Sequence, residues 1–166
     1  MTKEEMLFAG EWIKDSFVLK IESEIFNKII PIEVSFDRGE ERLLSDRSIN
    51  AINDFLSFDK NNLAEIEEEI WKHCLNCNQT QNSRGSIDGG KTWVDTSSTL
   101  EQNLAEYGIK TKEDALQKSS IECVYLANTW GKNAFGRIFY LVIKVAWDNE
   151  HGMSIVYRNG KIDDVE

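Results

Sequence analysis

The residues best equipped for chemistry crowd near the C-terminal end, in Trp147-Asp-Asn-Glu-His-Gly152. Asp148 and Glu150 are carboxylates and His151 is an imidazole. Such a set can ligate a metal ion or work as an acid and base pair. A metal centre ordinarily takes three or four protein ligands, and catalysis needs a receptive pocket, so the spacing alone supplies neither. The same residues have a structural reading: Asp148 caps a turn, His151 bonds to backbone and Gly152 takes a positive φ. Asp148, Glu150 and His151 are candidate functional residues, with no catalytic or metal-binding role assigned to them.

A second reactive grouping is His73-Cys-Leu-Asn-Cys77. Its Cys-x-x-Cys spacing suits zinc only beside a second Cys/His couple, and only Cys123 and His151 remain, far away in sequence. As a redox motif it lacks the strand-then-helix setting of thioredoxin-like folds. Buried helical cysteine is the expected state. Three cysteines imply no disulfide framework. There is no glycine-rich phosphate loop and no Gly-x-Ser-x-Gly elbow, and no cofactor is expected.

Two features suit recognition rather than chemistry. Ser86-Ile-Asp-Gly-Gly-Lys-Thr-Trp93 fits the Asp-box pattern Ser-x-Asp-x-Gly-x-Thr-Trp at every fixed position. In such a box the aspartate braces a tight turn, glycine makes it and tryptophan covers it. It is similar to the boxes of sialidase propeller blades, but one copy in 166 residues builds no propeller. We read it as a stabilised hairpin within the polar segment 78–98, an insertion or hairpin that can present Trp93 to a partner. The acidic run Glu65, Glu67, Glu68, Glu69 is either a solvated helix face or a docking patch. Trp93, Glu65, Glu68 and Glu69 are the candidate partner-binding residues.

The elements that must position these residues follow from periodicity. Trp12 to Ile21 reads as a strand, and Ile29 to Phe36 as a second that Asp37-Arg-Gly39 ends; Pro31 sits near its start. Ser45 or Asp46 caps a helix with Ile49, Ile52, Phe55 and Leu56 on one face. A second helix spans about Asn62 to Leu75, with Leu63, Ile66 and Ile70 inward and the glutamates outward, and the pair forms an αα-hairpin. Leu100 to Tyr107 reads as helical, and Thr111-Lys-Glu-Asp114 signs a short helix through Gln117. Ile121 to Ala127 is a strand, followed by a turn over Gly131 to Gly136. Ile138 to Trp147 is an apolar, β-rich central strand, and Met153 to Lys161 is the last, ending in an Asn-Gly turn. Asp148, Glu150 and His151 then fall on a hairpin tip. The order β-β-α-α-loop-α-β-β-β predicts an α+β fold: an antiparallel sheet with an αα-hairpin and a short additional helix packed on it.

Length and composition bound the function classes. A chain of 166 residues makes one domain. Net charge is −10 and pI about 4.8, which disfavours nucleic acid and anionic membrane, since both need a basic footprint. An acidic surface serves solubility, or attracts a basic partner and speeds its encounter. No apolar stretch reaches the length of a membrane span, and the first residues lack a secretory layout, so a cytoplasmic location is expected.

The C-terminal segment Phe139 to Ile162, with Trp147-Asp-Asn-Glu-His-Gly152 followed by Tyr157-Arg-Asn-Gly-Lys-Ile162, resembles uncharacterised bacterial domain-of-unknown-function families. They share an N-terminal strand pair, a helix pair and a C-terminal Trp-Asp-x-Glu-His-Gly signature. The resemblance implies a link to toxin-immunity loci, where small acidic proteins serve as antidotes. The expected function is a non-catalytic cytosolic binding protein, an immunity-type antidote that occludes a toxin domain, with a protein partner that is a basic toxin domain. The alternatives are a small metal-binding protein or hydrolase using Asp148, Glu150 and His151, and a structural or regulatory module.

Overall fold

Chain order runs α1 (Lys3–Ala9), β1 (Glu11–Ile13), β2 (Ser16–Ser23), β3 (Lys28–Ser35), α2 (Asp46–Leu56), α3 (Lys60–Cys77), β4 (Gln81–Ser86) and β5 (Trp93–Ser98). It continues through α4 (Leu100–Glu106), α5 (Lys112–Gln117), β6 (Ser119–Ala127), β7 (Ile138–Val145), β8 (Asp148–Arg158) and β9 (Lys161–Val165). This computed structural model describes residues 1–39, 41–79, 81–86, 93–128 and 136–166, with the side chains of 81–86, 93–97 and Asn149 outside the description. The turn of the Asp-box (87–92), the Trp93 side chain and residues 131–135 of the turn expected over Gly131 to Gly136 therefore lie outside it.

Seven strands form one sheet in the order β1-β2-β3-β6-β7-β8-β9, and β4 and β5 pair as a separate antiparallel ribbon. The α+β class holds. The sheet is mixed rather than antiparallel throughout, because β3 and β6 run parallel, with Ile32 opposite Val124 and Val34 opposite Leu126. All of α2 to α5 lies between those two strands in sequence, which is the long crossover a parallel pair requires.

Strand alternation sends Phe17, Leu19, Ile30, Ile32, Val34, Val124, Leu126, Phe139, Leu141, Ile143, Ile155 and Tyr157 to one face. There they share a core with Met6, Ile52, Phe55, Ile66, Ile70, Leu104 and Ala115 of the five helices. Burying a side chain of this size stabilises by about 1.5–3 kcal/mol.

Three expectations are corrected. The N-terminal helix α1 was not anticipated; seven residues with one buried, Met6, carry too little period, although Thr2 and Glu5 form a capping box. The strand expected from Trp12 to Ile21 is broken at Lys14, whose φ of 53° turns β1 back on β2. Beside α2 and α3 stand three further helices, α1, α4 and α5, where the predicted architecture named one; α4 and α5 lie where the sequence reads as helical, and α3 packs against α5.

Two side-chain clamps hold elements in place. Asn128 is buried at the end of β6; it accepts from the Ser45 amide (2.9 Å) and Ser48 Oγ (2.9 Å) and donates to the Leu43 carbonyl (3.0 Å). That network seats the start of α2 against the sheet. Asp54 of α2 accepts two bonds from Arg137, at 2.7 and 3.2 Å, and the Arg137 amide donates to Asn159 Oδ1 at 2.9 Å. Asn159 and Gly160 both have positive φ, 54° and 78°, the pattern of a type I′ hairpin turn. The β8–β9 turn is thereby tied to the helical layer.

Candidate functional site

The first gathering of candidate residues surrounds the β7–β8 connection. The turn itself is Ala146–Trp147; Asp148 already opens β8, so Asp148, Glu150 and His151 lie along a strand start and not on a hairpin tip. Two steps of β7, Ile143 to Val145, face five of β8, Met153 back to Asp148, so β8 bulges through this stretch. Gly152 closes the bulge at φ 68°, where an added Cβ would come within 3.0 Å of the Ile143 carbonyl oxygen. Only glycine meets both conditions without strain.

Within the bulge Asp148 Oδ1 accepts from the His151 amide (3.1 Å) and lies 3.2 Å from His151 Nδ1. The backbone amide is the main reason the Asp148 carboxyl is held below its usual range. His151 thus bonds to a carboxylate rather than to backbone as expected, while its ring stands 80% exposed. Glu150 is exposed and does not join them.

Trp147 turns inward instead. Its indole N–H donates to His73 Nδ1 of α3 at 3.1 Å, and the ring is 7% exposed. Cys77 Sγ lies 3.5 Å from His73 Nε2 and 3.7 Å from Nδ1. A sulfur nearly equidistant from both nitrogens sits on neither lone-pair axis. Burial lowers the His73 pKa, against the opposing pull of Asp148. The indole donor acts in the same direction as burial, because protonated His73 would set N–H against N–H. Burial first, then the Asp148 charge, pushes the Cys77 thiol up. Imidazole and thiol are thus both neutral near pH 7, the opposite of an activated thiolate–imidazolium pair. Cys74, fully buried, is pushed to about 11. Among the described residues, no three His, Cys, Asp or Glu side chains stand close enough to hold a metal ion.

The second gathering lies along α3. Glu65, Glu68, Glu69 and Lys72 follow one another at helical spacing and therefore share a stripe. The stripe forms one wall of an open groove of about 690 Å³, with Gly160, Lys161 and Ile162 of the β8–β9 turn and β9 opposite. Glu69 pairs with Lys72 at 2.8 Å and Glu68 with Lys112 of α5 at 3.1 Å. Exposed pairs of this kind contribute at most about 1 kcal/mol each. Glu65 makes no ion pair among the described residues.

Tyr157 of β8 is a residue that sequence reasoning did not single out. Its ring, 0% exposed, stacks on Phe139 at 4.9 Å and packs against Phe58 at 4.9 Å. Its hydroxyl is buried without a hydrogen-bond partner among the described residues. Such a group costs about 1–3 kcal/mol. Burial, then the charges of Glu65 and Glu69, raise its pKa. The residue was visible in sequence only as part of an apolar strand; nothing there marks its hydroxyl as unpartnered.

The structure therefore brings Asp148 and His151 together, leaves Glu150 apart, and sets Glu65, Glu68 and Glu69 around one concavity. Among the described residues, no helix is long and apolar enough to cross a membrane. No curated protein and no solved structure matches this chain. The model of a family described as a domain of unknown function, DUF6985, matches residues 3–166, and the chain belongs to that family.

Proposed function

We propose that this member of a family of unknown function is a non-catalytic cytosolic binding protein that engages a basic protein partner through the acidic face of α3. The observation that carries the reading is the groove lined by Glu65, Glu68 and Glu69, set in a molecule of net charge −10. A concave carboxylate surface steers a cationic partner in and orients it on arrival, and rim charges of this kind act mainly on the association rate. The neutral state of the His73–Cys77 pair supports a binding role over nucleophilic catalysis. The finer reading is an immunity-type antidote: the acidic face covers the active surface of a toxin domain and excludes its substrate.

The test is co-expression with the product of the neighbouring gene. An antidote restores growth and forms a complex whose association slows with salt. Reversing Glu65, Glu68 and Glu69 to lysine should abolish rescue while the fold persists. Full rescue by that variant would remove the α3 face from the function.

A further inference from the structure

We propose that the sheet face turned away from the helices docks a second copy of this chain, so that two sheets pack face to face and both α3 faces point outward. Strand alternation divides the sheet residues between two faces. One set shares the core with the helices. Pro31, Cys123, Tyr125, Tyr140, Val142 and Val156 alternate with that set and fall on the other side. Among the described residues, none of the six belongs to the core or to the partly buried side chains packed on it, although Val156 is only 5% exposed. The ladder sets them side by side, with Tyr125 opposite Tyr140, Tyr140 opposite Val156 and Cys123 opposite Val142. The two tyrosine rings stand 6.5 Å apart. On β3 the same face continues through Pro31 to Ile29, a large apolar side chain that is 61% exposed.

Size and charge name the occupant. The strands β2, β3, β6, β7 and β8 are 8, 8, 9, 8 and 11 residues long. At about 3.3 Å per residue and about 4.8 Å between strands, they present roughly 600 Å² of plane before side-chain relief is counted. Relief brings that to the order of the about 800 Å² that each partner contributes to a stable interface. A second sheet, stacked about 10 Å away, covers such a plane as a single side chain cannot. The charges around the apolar centre carry both signs: Lys20, Lys144 and Arg158 share the face with Glu22, Glu33 and Asp164. In a two-fold contact one surface meets itself and must supply both members of every pair. A face of one sign repels its copy; this one can match acids with cations. A basic partner, by contrast, would meet Lys20, Lys144 and Arg158 here.

The test is sedimentation velocity of the full chain over a concentration series. It should reveal a species of twice 19.1 kDa that persists at high salt, because apolar area rather than charge holds it. Ile29→Lys, at a position the single chain leaves exposed, should weaken self-association about tenfold. Val142→Lys, at the centre of the face, should weaken it about a hundredfold. Circular dichroism of monomeric Ile29→Lys should match the parent, which separates lost docking from lost folding. Alkylation of Cys123 should slow as the dimer forms, while that of Cys77 on α3 should not change. Reversing Glu65, Glu68 and Glu69 to lysine should leave the dimer intact, so this proposal and the acidic-face reading fail separately. A monomer at every concentration overturns the proposal. So does a dimer that neither substitution weakens, since it would form through another face. A monomeric parent whose Val142→Lys variant loses the neighbouring gene's product would give the face to a different protein, and that outcome overturns the proposal too.

Discussion

The β7–β8 bulge and the α3 groove both gather polar residues, but they differ in how much of that polarity the chain itself satisfies. In the bulge, Asp148 is taken up by the amide and ring of His151, and the Trp147 indole N–H by His73. The circuit closes on itself. Along the groove, among the described residues, Glu65 stands without an ion pair, and Glu68 and Glu69 are held only by partly exposed lysine pairs. A polar group that already has its partner has little left to offer a ligand, whereas an unsatisfied one improves on binding. Under the binding reading proposed above, the bulge serves folding and the groove recognition. Changes in the first should cost stability and spare binding; changes in the second should do the reverse.

The largest effect expected is from Trp147→Ala. It removes a nearly buried indole and leaves His73 without its donor, so urea unfolding should show a loss of about 3–5 kcal/mol. Gly152→Ala comes next, at about 1–3 kcal/mol, because the new Cβ meets the Ile143 carbonyl oxygen at a φ that L-residues resist. A melting temperature equal to the parent's would show that β8 does not need the bulge.

Asp148→Ala and Tyr157→Phe are the direct contrast. The first should cost about 1 kcal/mol by freeing the His151 amide. The second should cost nothing, or add up to about 1 kcal/mol by removing an unpartnered hydroxyl. Parallel denaturation curves decide it, and a destabilised Tyr157→Phe would mean that the hydroxyl is engaged within the fold.

The smallest effect is in pH dependence. The His73 pKa is lowered from 6.5 in the folded chain, so the unfolded chain binds the extra proton more readily. Stability should therefore fall as pH drops below 6.5 and level off once the folded pKa is passed. His73→Gln should flatten that slope when melting is followed between neutral and mildly acidic pH. Asp148 is lowered from 3.8, so its contribution is present above that pH and lost as pH falls toward its folded value. The first slope sets in below pH 6.5 and the second only below pH 3.8.

Much of the scaffold was readable because it is written in local rules. The Asn159-Gly160 turn, the positive φ of Gly152, the Ser45 cap and the inward stripe of α3 each follow from neighbours a few residues apart. The glutamate stripe was readable for the same reason, since a helix displays positions 65, 68 and 69 together whatever surrounds it. The hairpin tip was misplaced because Trp147 looks, by alternation alone, like the end of the strand before it. It is instead the turn that leads into Asp148, and only pairing with Val145 reveals that.

What the sequence determined by itself was therefore most of the elements, though not α1 or β9, their polar and apolar faces, and the sign of the net charge, all consequences of period and composition. The tertiary structure alone decided which faces meet. It ran β3 parallel to β6, set His73 against Trp147 across 74 positions of chain, and packed Tyr157 against Phe58 and Phe139. Such meetings depend on how every helix packs on every strand at once, so whether a polar group finds a partner there is not encoded in its own neighbourhood.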